Sequence, residues 1–455
     1  MTSADVLILG GGSGGYACAL RSAELGLSVI LIDKDKLGGT CLHRGCIPTK
    51  ALLHAAEVAD SSRESEKFGV KTTFEGIDMP KVNEYRDGVV ARLYKGLQGL
   101  IKIRDVTFVE GEGKLVGANT VEVNGVTYTG KNVVLATGSY ARSIPGLDIS
   151  GRIMTSDQAL DLDYVPKSVI VLGGCVIGVE FASVWKSFGA EVTVVEGLPH
   201  LVPNEDEAAS KALERAYRKR GINLILGTKF ASATQNDSSV EITLEDGKVL
   251  SAELLLVAVG RGANTANMGY EENGVAMDRG WVVVNERLAT NVSGIFAVGD
   301  ITPGLQLAHR GFQHGIFVAE EIAGMNPIVI ADINIPKVTY CEPEVASVGM
   351  SEVEARAAFG DNVNVYEYNL GGNGKSQILG TAGFIKLVAQ KDGPVVGIHM
   401  VGSRVGEQIG EAQLIVNWEA YPEDVATLIH AHPTQNEAMG EAHLALAGKP
   451  LHSHA

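Results

Sequence analysis

Near its start the chain runs through a short apolar stretch, "VLIL", and stops at a cluster of glycines, "GGGSGG" (residues 6–15). A β-branched run bounded by glycine predicts a buried strand and a tight turn. The next stretch, "YACALRSAELG", predicts a helix, and "SVILID" predicts a second strand ending in an acid. The pattern then recurs. "VIVLGGCVIG" at 169–178 is again an apolar run closed by a glycine turn. In the following "VEFASVWKSFG", Phe181, Val184, Trp185 and Phe188 fall at i, i+3, i+4 and i+7, one apolar face of a helix. "EVTVVE" closes this second unit with another acid. Gly15 to Asp33 is 18 residues, and Gly178 to Glu196 is also 18.

A glycine turn alone says little. Strand, turn, helix, strand and acid in that order predict a dinucleotide-binding unit, and here there are two. In the first, Gly10 allows the tight turn, Gly12 lets the backbone approach a pyrophosphate, and Gly15 lets helix and strand pack. Asp33 would hydrogen-bond a ribose. In the second, Gly173 and Gly178 keep their places and Cys175 stands where backbone should meet pyrophosphate. A thiomethyl group there should crowd the ligand. Glu196 would repel a 2′-phosphate, which favours NAD over NADP. From about Ile335 the pattern changes to strands ("KVTYCEPEVASVGM", "GFIKLVAQ", "PVVGIHMVG") mixed with helices ("EQIGEAQLIVNWEA", "PEDVATLI"). Lys391-Asp392-Gly393 suits a hairpin turn between two of these strands. The expected fold is therefore α/β, with two Rossmann-like domains and a C-terminal α+β domain.

Composition narrows the field. A chain of 455 residues implies two to four domains. Glycine is 55 of 455, well above the usual level of about 7%, as tight turns and close ligand approach require. A net charge of −16 argues against nucleic acid as a partner. No apolar run reaches the roughly 18 residues of a membrane span, and a strand beginning by Val6 leaves no room for a leader. A cytoplasmic protein is expected. The five cysteines, Cys18, Cys41, Cys46, Cys175 and Cys341, are too few for a disulfide framework. Cys18 and Cys175 read as inert small residues.

That leaves "GGTCLHRGCIPTK" at 38–50. One reading is a metal site from Cys41, His43 and Cys46, with no fourth ligand nearby. A second is two unrelated buried thiols. A third is a redox pair, with the cationic neighbours Arg44 and Lys50 favouring a thiolate beside a flavin.

At this point the chain resembles the pyridine nucleotide–disulfide oxidoreductases, and the resemblance runs essentially end to end. After the first turn come "GGTCLHRGCIPTK", "ATGS" at 136–139, the second turn, "TNVSGIFAVGD" at 290–300, "LAH" at 307–309 and "HAHPTQNEAMGEA" at 430–442. The resemblance implies FAD held by Gly10, Gly12, Gly15, Asp33, Thr40, Lys50, Gly113, Thr137, Gly138, Ser139, Asp300 and Ala308. Asp300 would bind the ribityl chain, and Lys50 would lie near the flavin and pair with Glu180. NAD would be held by Gly173, Gly178, Glu196 and Gly260. Cys41 would exchange with a substrate thiol, Cys46 would face the flavin, and His432 would be the base, oriented by Glu437. Residues 1–147 and 268–335 would form the FAD domain, 148–267 the NAD domain and 336–455 the dimer interface. The active site would be shared between two chains.

The resemblance further implies oxidation of protein-bound dihydrolipoamide, with a lipoyl-bearing acyltransferase component or lipoyl carrier protein as partner. Departures are His43 for Asn, Thr49 for Ser and Cys175 for Gly. Thr434-Gln435-Asn436-Glu437 also fits a helix capping box, a competing role for Glu437. His430 reads as a supporting group, and His452 and His454 as a solvated tail. Two alternatives stay open: a related enzyme reducing a small disulfide with NADPH, against which Glu196 stands, and a non-catalytic subunit holding FAD for structure. A mercuric reductase would want a C-terminal cysteine pair, and none follows Cys341.

Overall fold

The computed structural model describes residues 2–452. Three main sheets organise the chain. The first is built on strand Ser3–Leu9, which pairs in parallel with Val29–Asp33 on one side and Val126–Leu135 on the other. Thr107–Glu110 extends the first of these edges. Far along the chain, Ile295–Ala297 returns to pair in parallel with Val126–Leu135. The strands are aliphatic and fully buried at Val6, Ile8, Leu31 and Val134, as parallel strands covered on both faces must be.

The second sheet repeats the plan. Ser168–Leu172 lies between Glu191–Glu196 and Leu254–Val257, all parallel. The edges are Asn223–Leu226 and Ile153–Met154. An antiparallel sheet of Phe230–Gln235, Val240–Leu244 and Val249–Ala252, which the apolar pattern did not announce, is inserted before the last of the central strands. The helix expected from the second turn runs Val176–Phe188, and its apolar face of Phe181, Val184, Trp185 and Phe188 is buried.

The third sheet is antiparallel, in the order Lys337–Thr339, Glu344–Gly349, Val395–Gly402, Phe384–Gln390, Val363–Asn369. The Lys391–Gly393 hairpin forms with Asp392 at φ 57°. Helix Val405–Asn417 covers the sheet but ends before Trp418, and helix Pro422–Ala426 is shorter than its apolar pattern. Among the described residues, no helix is long and apolar enough to cross a membrane.

Candidate active site

The two cysteines of "TCLHRGC" sit on either side of a helix break. Helix Gly39–Arg44 ends at Gly45, whose φ of −145° and ψ of −110° turn the chain, and helix Cys46–Arg63 starts at once. Cys46 is thus the first residue of a helix, where unpaired N–H groups and the positive dipole end favour a thiolate. The thiols are free, so the geometry is that of a reduced pair. The neighbouring Cys41 thiol, with help from the Lys50 ammonium and against the cost of burial, brings Cys46 down to about 7. The Cys46 sulfur and burial push Cys41 up. The pair is polarised, with Cys46 the more acidic thiol.

Lys50 lies four residues beyond Cys46 on the same helix face. Its ammonium reaches both oxygens of Glu180 at 2.8 Å. Glu180 is only 2% exposed and also accepts the Tyr340 N–H at 3.0 Å. The Tyr340 ring lies 4.8 Å from the Lys50 ammonium. Burial alone would lower the Lys50 pKa, but the Glu180 charge outweighs it and raises the pKa. His43 stands apart from this group. Its Nε2 lies 2.8 Å from the Leu37 carbonyl, and its ring packs edge-on against Tyr94. Among the described residues, no cluster of three His, Cys, Asp or Glu could hold a metal ion.

His432 is held elsewhere. Its Nδ1 lies 2.8 Å from Glu437 Oε1, and Glu437 Oε2 accepts the Thr434 N–H at 2.7 Å. Half of the expected capping box therefore forms, but Thr434 Oγ1 turns back to the Ala431 carbonyl and the helix begins at Glu437 itself. Thr434 is not the cap, because its hydroxyl is spent on the Ala431 carbonyl; Glu437 braces the Thr434 N–H and orients the histidine at the same time. His432 is 79% exposed, so its free Nε2 faces outward from this chain. His430 pairs with Glu411 at 2.8 Å, and His452 pairs with Glu441 at 2.8 Å rather than lying free. His454 lies outside the described residues.

The two turns can be tested for what they would hold. Gly10 has φ 110°, and a Cβ there would stand 2.2 Å from the Ala136 carbonyl oxygen. A Cβ on Gly15 would stand 1.7 Å from the Gly10 carbonyl oxygen. Both glycines are required by the protein's own backbone. A Cβ on Gly12 would meet nothing nearer than Gly39 Cα at 3.9 Å, so the space in front of Gly12 is open to a ligand. Asp33 accepts the Gly11 N–H with one oxygen and the Asp35 N–H at 2.8 Å with the other, leaving lone pairs for a ribose. The Ser139 hydroxyl donates to Asp300 at 2.6 Å and accepts from Arg261 Nε at 2.7 Å. Thr137 bonds the Asn264 carbonyl at 2.7 Å beside Gly138. Ala308 opens helix Ala308–Ile322, and Gln306 Nε2 just before it is buried with no partner in the described residues. Gly113 is buried against Leu9 and Ile32, so packing alone would demand it. Thr40 lies on the redox helix, where its carbonyl would crowd any Cβ on Gly45 at 3.0 Å.

The second turn copies the first. Gly173 has φ 110°, and a Cβ on Gly178 would stand 1.9 Å from its carbonyl oxygen. Glu196 accepts the Gly174 N–H at 2.6 Å and the Leu198 N–H at 2.8 Å. Gly260, at φ 106°, leads into Arg261–Ala263, which pairs with Ser139–Ala141. Arg261, Tyr340 and Tyr16 were not anticipated. Burial, with the cysteine pair adding to it, pushes the Tyr16 hydroxyl up to about 12.

Residues 4–315 match the pyridine nucleotide-disulphide oxidoreductase family, and residues 335–443 match its dimerisation domain. The chain belongs to the pyridine nucleotide-disulphide oxidoreductase family. A dihydrolipoyl dehydrogenase of Bacillus subtilis is 41% identical, with 99% of each chain covered. Another, of Geobacillus stearothermophilus, is 38% identical over 98% of this chain and 97% of the relative. Among solved structures, LpdA of Mycobacterium tuberculosis aligns with a TM-score of 0.91 at 26% identity, covering 98% of this chain and 100% of that one. FAD and NAD are the cofactors that go with this membership, and the two turns fit dinucleotides. The dimerisation match supports a homodimer. Trp418 and Ile429, inside that match, are 75% and 99% exposed on the single oxidoreductase chain.

Proposed function

We propose that this chain is a homodimeric, NAD-dependent dihydrolipoyl dehydrogenase. Its substrate would be the dihydrolipoyl arm of an acyltransferase component or lipoyl carrier protein. The observation that carries this reading is the cysteine pair at a helix break, with Cys46 opening one helix and Lys50, tied to Glu180, one turn further on the same face. The first turn, with Thr40, Thr137, Gly138, Ser139, Asp300 and Ala308, would hold FAD. The second, with Glu196 and Gly260, would hold NAD. The division at 1–147, 148–267, 268–335 and 336–455 is supported by the strand pairing: strands between 3 and 135 pair with 295–297, those between 153 and 257 form the second sheet and the antiparallel sheet inserted in it, and those between 337 and 402 form the last.

The mechanism follows from where protons and charges are held. In the oxidised enzyme Cys41 and Cys46 form a disulfide. His432, carried on the other protomer, accepts a proton from a substrate thiol at Nε2, while Glu437 fixes the Nδ1–H tautomer. The substrate thiolate attacks Cys41 Sγ, the Cys41–Cys46 bond breaks, and Cys46 leaves as a thiolate stabilised by its helix start and Lys50. The second substrate thiol then attacks the first substrate sulfur. The lipoyl ring closes, Cys41 leaves and takes a proton, and the pair reaches the polarised state described above. Bound FAD supplies the two-electron acceptor between this dithiol and NAD⁺. The sum is dihydrolipoamide + NAD⁺ → lipoamide + NADH + H⁺. The cytoplasm, which keeps thiols reduced, suits a pair that must cycle.

The test is an anaerobic titration of the purified holoenzyme with dihydrolipoamide, followed by NAD⁺. A long-wavelength flavin band that rises with dithiol and falls as NADH appears is the expected result. A flavin spectrum indifferent to dihydrolipoamide would sink the proposal.

A further inference from the structure

The two turns provide an internal control for one residue. Gly12 caps its helix at φ −72° and ψ −169°, and Cys175 caps the equivalent helix at φ −86° and ψ −174°. These are the same extended conformation, open to any residue, so backbone geometry does not decide between them. The two flanking glycines of each turn, Gly10 and Gly15, Gly173 and Gly178, are forced by backbone oxygens between 1.7 and 2.3 Å from a would-be Cβ. The middle station is different. At Gly12 the nearest protein atom to a Cβ is 3.9 Å away. Glycine is there for the ligand, and the protein alone would tolerate a side chain.

Cys175 is that side chain. The turn that bears it is also fixed in place. The Gly174 carbonyl accepts the Val202 N–H at 2.8 Å, and Leu201 packs so closely that a Cβ on Gly174 would stand 2.5 Å from it. The loop behind is tied to the C-terminal sheet by Lys386 to Asp206 at 2.8 Å and Lys337 to the Asn204 carbonyl at 3.0 Å. The turn therefore has little room to retreat from its own thiol.

We propose that Cys175 sets the nucleotide affinity of this chain by standing its CH₂–SH group in the space that the pyrophosphate of NAD⁺ or NADH would otherwise take against the turn. This rests on the NAD-dependent reading above. Burial, with the Glu196 and Glu205 carboxylates adding to it, pushes the thiol pKa up, so the group is neutral at pH 7 and the obstruction is one of volume. A looser nucleotide site raises the KM for NAD⁺ and speeds release of NADH.

Calorimetric titration of the oxidised, FAD-loaded dimer tests it, with NAD⁺, ADP-ribose and AMP as probes. Cys175→Gly should tighten NAD⁺ and ADP-ribose about tenfold, Cys175→Ala should lie between, and Cys175→Ser, similar in volume, should match the unaltered enzyme. AMP, which has no pyrophosphate bridge, should bind all four alike. NAD⁺ affinity within about twofold across glycine and cysteine, or serine behaving like glycine, would overturn the proposal. Reduction of the flavin by dihydrolipoamide is followed alongside. Its failure would count against the dehydrogenase reading, and the titrations would still decide the role of Cys175.

Discussion

At its first glycine turn the chain keeps the ligand face bare and surrounds it with chemistry. At its second it keeps the same backbone, puts a side chain on the ligand face and carries no reactive group of its own. The first fold leads straight into the redox helix, and its Ser139 bonds both Asp300 and Arg261. From the second fold, Glu180, two residues past Gly178, reaches across to Lys50, and Arg261 reaches Ser139. The helices after the turns are buried differently too. Helix Ser13–Glu24 packs on Ala308–Ile322 so closely that a Cβ on Gly315 would stand 2.2 Å from the Gly14 carbonyl oxygen. Helix Val176–Phe188 instead packs against the redox helix, and its Phe181, Val184 and Trp185 share one buried cluster with Leu52 and Ala56. What the backbone demands of itself is the same in both folds, and what a ligand or the reaction demands differs.

The sharpest way to break this comparison is to remove the chemistry from the first fold alone. Cys46→Ser should lower dihydrolipoamide oxidation by at least about 10³-fold, with NAD⁺ affinity unchanged by calorimetry. A matching loss of NAD⁺ affinity would mean that the two folds are not separable. The next largest effect exploits the glycines both folds need. Gly15→Val should yield protein without bound flavin, whereas Gly178→Val should yield yellow protein with NAD⁺ binding weakened about 10²-fold. Equal damage to flavin content from both would contradict the division of labour.

Glu180→Gln tests the bridge from the second fold to Lys50. The Cys46 pKa is lowered, so its thiolate persists down to about pH 7 and is lost as the pH falls through that value. The Glu180 charge pushes Cys46 the other way. Removing it should move the midpoint of the long-wavelength flavin band below 7 and slow dithiol oxidation roughly tenfold as Lys50 loses its anchor. A midpoint that rises would show that Glu180 acts only by holding Lys50 close.

Much of this was legible in the sequence because the information was local. The turns, their acids and the cysteine pair each lie within one short stretch, where spacing constrains geometry. The hidden parts are long-range. Arg261 and Ser139 are 122 positions apart and meet only because Arg261–Ala263 pairs with Ser139–Ala141. Tyr340 is brought beneath Lys50 by the C-terminal domain, and nothing in its own neighbourhood signals this. The Thr434 capping box failed for a different reason. Glu437 takes the Thr434 N–H as the box requires and holds His432 with its other oxygen, but the Thr434 hydroxyl donates back to the Ala431 carbonyl and the helix starts only at Glu437.

The smallest expected effect concerns the two acids, which look alike in sequence and in structure. Asp33 and Glu196 each accept a turn N–H and a second backbone N–H just beyond the acid itself. An amide has one acceptor oxygen, so Asp33→Asn and Glu196→Gln each leave one of these N–H groups facing an NH₂. Each should cost about 1–3 kcal/mol, read as similar small drops in Tm. Their ligand roles should separate them. Glu196→Gln removes the charge that a 2′-phosphate would meet, and should narrow the preference for NAD⁺ over NADP⁺ by several-fold, whereas Asp33→Asn should leave that ratio alone and make FAD easier to wash out. Equal Tm losses with only the Glu196 variant changing nucleotide preference would show one structural device serving two ligands. An unchanged preference would mean that Glu196 only braces its turn.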